Sequence, residues 1–177
     1  ITGSGTGSIK FGTNAVASDT YSIGIGNEAN ATGLYGTAVG NGSNATGDKA
    51  SGFGYGANAY GNSSVSLGDS SESANDYAMA LGANATANYD YSIAIGAGGV
   101  STSRAYQIAL GTTDNTYTLA GVSSSDSTDA QDGTLYMVTT DSDGNLATTD
   151  FVVDTDTTLD ITGSGTGSIK FGTNAVA

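Results

Sequence analysis

A glycine that closes a short apolar stretch returns at Gly12, Gly26, Gly40, Gly54, Gly68, Gly82, Gly96 and Gly111. The step is 14 residues throughout, except for a last step of 15. Three residues before these glycines stand Ile9, Ile23, Thr37, Ser51, Val65, Met79, Ile93 and Ile108. One residue before them stand Phe11, Ile25, Val39, Phe53, Leu67, Leu81, Ile95 and Leu110. Small residues follow three and five places after the glycine, as in Ala29/Ala31, Ser43/Ala45 and Ala57/Ala59. Both alternations have period two, which is the signature of strands and leaves no 3.6-residue stripe for a helix. Each unit reads as two strands of about five residues joined by tight turns, with the fixed glycine suited to a turn of positive φ.

One such unit cannot bury an apolar face alone, so the units must stack as the coils of an all-β solenoid. The expected core places large residues of one strand against small residues of the other, with Ile23, Ile25, Val65, Leu67, Leu81, Ile93 and Ile95 buried. The intervening column (Lys10, Gly24, Ala38, Gly52, Ser66, Ala80, Ala94, Ala109) is tiny in every rung but the first. It is read as outward and flat enough for another chain to approach, because exposed strand positions usually carry larger residues. Lys10 then marks a rung where close packing has not begun.

Four basic residues against 17 acidic ones give a formal charge of −13, which disfavours nucleic acid and anionic membranes as partners. No stretch approaches the roughly 20 apolar residues of a membrane helix, and none opens the chain as a signal segment, so any leader or anchor is expected outside this sequence. With no histidine and no cysteine, a Ser-His-Asp or Cys-His nucleophile and the common zinc sites cannot be built. The chain is therefore read as neither an enzyme nor a cofactor or metal protein. Asp141, Asp143 and Asn145 have the spacing of the start of a calcium loop, but no glutamate closes it. A β-hairpin around Asp141-Ser-Asp-Gly144, flanked by Thr134 to Thr140 and Asn145 to Thr149, is the preferred reading.

Residues 1 to 17 recur unchanged as residues 161 to 177. The chain thus holds one period of 160 residues and the opening of the next, or else a duplication introduced by cloning. The organisation expected is a coil region at 1–111, an acidic connector at 112–160 and a new repeat at 161–177. The extra residue within Ala97-Gly-Gly-Val-Ser101 reads as a bulge ending the regular coil, and a further strand is expected near Asp150 to Val153. If the array is continuous, residues 161 to 177 adopt the conformation of residues 1 to 17, with Ile169, Phe171 and Gly172 repeating Ile9, Phe11 and Gly12.

Tyrosines stand five residues before the key glycine at Tyr21, Tyr35, Tyr77, Tyr91 and Tyr106, forming an edge row interrupted at Lys49 and Ser63. The row is a candidate adhesive surface or a packing seam between subunits. Asn30, Asn44 and Asn58 occupy equivalent turns and can bond along the coil. The Asn-x-Ser/Thr strings at Asn30, Asn44, Asn62 and Asn84 are given no weight as glycosylation acceptors.

The strings Tyr21-Ser-Ile-Gly-Ile-Gly, Ser63-Ser-Val-Ser-Leu-Gly, Tyr77-Ala-Met-Ala-Leu-Gly and Tyr91-Ser-Ile-Ala-Ile-Gly resemble the head repeat of YadA-type trimeric autotransporter adhesins. The resemblance covers residues 8 to 111 and implies a left-handed parallel β-roll, three chains side by side, on a bacterial surface. Asn115 to Val122 and Ser127 to Gln131 are loosely similar to the neck that follows such heads. The implied function is adhesion to cells, host matrix or glycans by a homotrimer repeated head to tail. The alternative is a structural spacer in a repetitive extracellular filament, which the exact repetition favours. Ice binding would need aligned Thr-x-Thr rows, and the threonines here are scattered.

Overall fold

The computed structural model describes residues 1–132 and 136–150. It divides into two compact units, residues 1–116 and 117–177. The first unit is the solenoid. Eight strands form one parallel sheet: Ile9–Phe11, Ile23–Ile25, Thr37–Val39, Ser51–Phe53, Val65–Leu67, Met79–Leu81, Ile93–Ile95 and Ile108–Leu110. Six more form a second: Val16–Ala17, Asn30–Ala31, Asn44–Ala45, Asn58–Ala59, Glu72–Ser73 and Thr86–Ala87. Register advances one coil at a time, with Ile9 beside Ile23 and Ala31 beside Ala45.

The strands are three and two residues long rather than five, because two corners consume the rest of each coil. At both corners a residue takes positive φ so that its N–H turns along the solenoid axis. Tyr35 (φ 58°) donates to the Thr20 carbonyl at 3.0 Å, and Glu28 (φ 57°) donates to that of Thr13 at 2.8 Å. The invariant rung glycine has a separate reason. At Gly40, with φ 139°, a Cβ would run into the Gly54 carbonyl group of the next coil.

The direction of the coil reverses the expectation. The tiny column faces inward: Gly24, Ala38, Gly52, Ser66, Ala80 and Ala94 are buried, as are Ala17, Ala31, Ala45, Ala59, Ser73 and Ala87 of the second sheet. Ile23, Val65, Leu81 and Ile93 are only half-buried, and Ile25, Leu67 and Ile95 are exposed, Leu67 by 51%. None of the seven residues expected as core is therefore buried, and the small column is not the surface where another chain could dock. The cause is space. A Cβ on Gly52 would lie 2.5 Å from the Asn44 carbonyl oxygen across the coil, so that rung has no room even for alanine, and the buried rungs beside it hold only alanine or serine. A period-two register leaves no intermediate choice, since a one-residue slip exchanges every side chain between faces.

Polar groups inside this narrow core are mostly paired. Ser66 Oγ donates to the Asn58 carbonyl at 2.7 Å and lies 2.9 Å from Ser73 Oγ, and Ser22 Oγ donates to the Asp19 carbonyl at 2.7 Å. Ser64 Oγ is buried without a partner. Alanine already fills the same column at Ala50 and Ala78. Ser64→Ala is therefore expected to raise stability by about 1 kcal/mol, by removing an unsatisfied buried hydroxyl, which equilibrium denaturation will measure.

The expected asparagine ladder is present, but in strands of the second sheet rather than at turns: Asn30 Nδ2 donates to Asn44 Oδ1 at 3.2 Å and Asn44 Nδ2 to Asn58 Oδ1 at 2.8 Å. A second ladder was not anticipated. Asp48, Asn62 and Asp76 each accept, through Oδ1, the backbone N–H of the equivalent residue one coil earlier (Leu34, Asp48 and Asn62).

At the first coil, Ile1 to Gly5 fold back over the open rung. Thr2 bridges Ile9 antiparallel and Lys10 N donates to the Ile1 carbonyl at 2.7 Å. Lys10 sits in the inward column, but its terminal rung opens to solvent and leaves it exposed. The extra residue near the far end is absorbed in the turn by Gly98 (φ 85°) and Gly99 (φ 89°), and the solenoid continues to Ile108–Leu110, which pairs with Ile93–Ile95.

In the second unit a 3-10 turn at Ala120–Ser123 leads to a short helix, Ser125–Asp129, capped by Ser124 Oγ accepting from the Ser127 amide at 3.1 Å. This helix lies where a β-rich connector was expected. Strands Tyr136–Thr140 and Leu146–Asp150 form the expected antiparallel hairpin. Asp141 Oδ1 accepts from the Asp143 and Asn145 amides at 3.0 and 2.9 Å, so its carboxylate closes the turn. Of the strand expected near Asp150 to Val153 only Asp150 is described, as the end of Leu146–Asp150, and its remainder and the duplicated segment 161–177 lie outside the described residues.

Candidate functional site

Two surfaces of the solenoid stand out. The first is the outward face of the eight-stranded sheet, where the residues one before each glycine form a continuous apolar row and those three before it a second row, interrupted by Thr37 and Ser51. Phe11, Ile25, Phe53, Leu67, Ile95 and Leu110 are exposed, and Val39 and Leu81 half-buried, beside the parallel row from Ile9 to Ile108. An apolar strip that runs the length of the solenoid far exceeds the scattered exposed aliphatics of an ordinary monomer surface. The solenoid backbone fixes it as a flat ridge, because every coil presents the same two positions.

The second surface is the tyrosine edge. Tyr21, Tyr35, Tyr77, Tyr91 and Tyr106 all occupy the corner before the eight-stranded sheet, with φ between 55° and 60°. Lys49 and Ser63 take the same corner conformation and divide the row in two. Tyr21 and Tyr35 stack with ring centroids 5.6 Å apart. Tyr77, Tyr91 and Tyr106 stack more tightly, at 4.7 and 4.9 Å and within 7° of parallel. These shorter distances match the spacing of neighbouring strands, so the coil pitch itself sets the stack. The structure thus joins the five sequence-predicted residues into two ladders rather than one.

The left-handed corner is unfavourable for an aromatic side chain. The opposite corner shows what the backbone alone selects, since the equivalent positions carry Asn14, Glu28, Gly42, Gly56, Ser70, Asn84 and Gly98. Five tyrosines at one corner and none at the other reflect a demand beyond chain geometry. Ring stacking supplies part of the compensation, about 0.5–1.5 kcal/mol per pair.

The Tyr91 hydroxyl titrates above the ordinary phenol value of 10.0. Its desolvation between the stacked rings is the largest cause, followed by the neighbouring Tyr77 and Tyr106 and then by Asp90 and Asp76. A raised value in the folded chain means that the neutral ring is favoured there. Its stabilising effect is whole below the ordinary phenol value and is lost as pH climbs through the folded one. Alkaline titration followed by phenolate absorbance is expected to show a late-ionising tyrosine that Tyr91→Phe removes, with steeper loss of stability in the native chain than in the variant.

Among the described residues, no group of three or more acidic, histidine or cysteine side chains is placed to hold a metal ion. The exposed apolar rows were visible in the sequence as alternation but were assigned to the wrong face. A count of small columns would have found the error. Residues four places before the glycine (Ser22, Ala50, Ser64, Ala78, Ser92) are as small as those two places before it, and all are buried.

The family model described as the YadA head domain repeat (2 copies) matches residues 4–29, 20–43, 45–71 and 74–98, together just over half of the chain. No curated protein matches the sequence.

Proposed function

The chain belongs to the YadA head repeat family, and from that premise we propose that it is a segment of a bacterial surface fibre, extracellular and trimeric, that adheres to cells, host matrix or other surfaces. Proteins of this family are adhesins rather than enzymes. The observation that carries the reading is the outward apolar strip, which a single solenoid cannot shield. Two further copies of the chain are its proposed occupants. Identical ridges repeating at every coil suit a self-complementary, symmetric assembly, in which association supplies the apolar burial that the alanine-sized core lacks. The proposed layout is a head at 1–111, a connector at 112–160 and the start of an identical unit at 161–177.

With the apolar strip turned toward neighbouring copies, the tyrosine row Tyr21, Tyr35, Tyr77, Tyr91 and Tyr106 is proposed as the contact surface, multiplied by three chains and by tandem repetition into high avidity. The exact recurrence of residues 1 to 17 as 161 to 177 favours a second reading, in which the segment is a spacer without ligand. Surface-immobilised native chain presented to mammalian cells, collagen and fibronectin separates the two. Retention of at least one of them, weakened by serine at Tyr77 and Tyr91, supports adhesion, whereas absence of binding to all supports the spacer.

A further inference from the structure

We propose that the upper ladder, Tyr77–Tyr91–Tyr106 with Asp76 and Asp90 beside it, is a docking edge for a basic polypeptide segment bearing guanidinium groups. The proposal rests on the reading of this edge as a contact surface and names its partner chemistry. Stacking at 4.7 and 4.9 Å covers the inner ring faces, so a sugar has no aromatic plate to lie on within the ladder. What remains outward are ring edges and a column of phenol hydroxyls, and Tyr91 is 45% exposed. The ring faces left open are at the two ends of the stack, on Tyr77 and Tyr106, of which Tyr106 is the more exposed at 75%.

The acidic residues are built into this ladder. The Tyr91 amide donates to the Asp76 carbonyl at 3.0 Å and the Tyr106 amide to that of Asp90 at 3.2 Å. Asp76 Oδ1 is held by the Asn62 amide at 2.8 Å, which fixes the side chain while its second oxygen carries no bond within the described residues. A guanidinium fits this combination, since its planar fork can donate to a carboxylate and a phenol oxygen together, and its plane can stack on the open Tyr106 face. The charge of −13 draws such a partner in from a distance. The lower ladder lacks the acids at these places, having Thr20 and Leu34 where the upper one has Asp76 and Asp90.

A fluorescent peptide of alternating Arg and Gly, titrated into the native assembled chain at low salt, tests the proposal. Asp76→Asn with Asp90→Asn, and separately Tyr91→Ser, are each expected to weaken binding about tenfold. Asp126→Asn with Asp129→Asn removes the same charge elsewhere and is expected to leave it unchanged. Equal loss with the control pair, no loss with Tyr91→Ser, or dissociation of the assembly by Tyr91→Ser would overturn the proposal, the last by making the ladder a seam between subunits. Peptide binding that survives while the immobilised chain retains no cell or matrix protein would sink the adhesion reading and leave this edge standing. Cell retention that is indifferent to the aspartate variants would do the reverse.

Discussion

Leucine in place of Ala80 is expected to destroy the solenoid locally and to lower its stability by about 3 kcal/mol or more, the upper end of what overpacking costs. Ala80 is fully buried in the inward column and pairs with Ser66 and Ala94 on either side. The opposite wall is the second sheet, whose carbonyls stand too close to admit three more carbons, and the stacked neighbours repeat the same restriction above and below. Leu81→Ala, one residue on, is the informative partner. Leu81 faces outward, so its truncation is expected to spare the packing within the coil and to weaken association between chains in the proposed trimer. Circular dichroism at rising protein concentration separates the two effects, since mass action is expected to restore the native spectrum of Leu81→Ala and not that of Ala80→Leu.

The second large effect is expected at the rung glycine. Gly40→Ala places a Cβ against the Gly54 carbonyl group, 2.6 Å from its carbon, in a backbone with φ 139° that side chains avoid. Neither atom can yield without lengthening the ladder between coils, so a loss of about 3 kcal/mol is expected, combining strain and steric conflict. Gly42→Ala is the control. Gly42 also has positive φ, 63°, but nothing lies within 4 Å of its added Cβ. Its cost is expected to be about 1 kcal/mol, the conformational penalty alone. If both variants melt together, the close approach between successive coils does not stabilise the fold.

The sequence made the coil legible because its period is backbone chemistry. Gly40 and its equivalents are demanded by the next coil, the turns by corner geometry, and the hairpin by Asp141-Ser-Asp-Gly144. What alternation could not reveal was which face pointed inward. Ile23 and Ile25 share a face whichever way the strand is turned, and the usual tie-breaker is that large apolar residues go inside. That rule failed here because the space between the two sheets admits only residues such as Ala38 and Ser66, and in the proposed trimer the apolar face serves contacts between chains. The tyrosine row was legible as a column, but its division into two stacks followed from ring distances that spacing does not contain. The helix at Ser125–Asp129 escaped because its Ser- and Asp-rich sequence carries no apolar stripe; only the cap at Ser124 signals it.

If small residues fill the coil and the large ones are reserved for neighbouring copies, the chain does not stand alone in solution. The mass of the native protein in dilute solution decides this. Sedimentation equilibrium is predicted to give three times the 17.3 kDa of one chain, with no folded monomer at the lowest concentration that can be measured. A stable, folded species of one chain mass, with Leu67 and Ile95 left in water, would show that the apolar strip needs no partner.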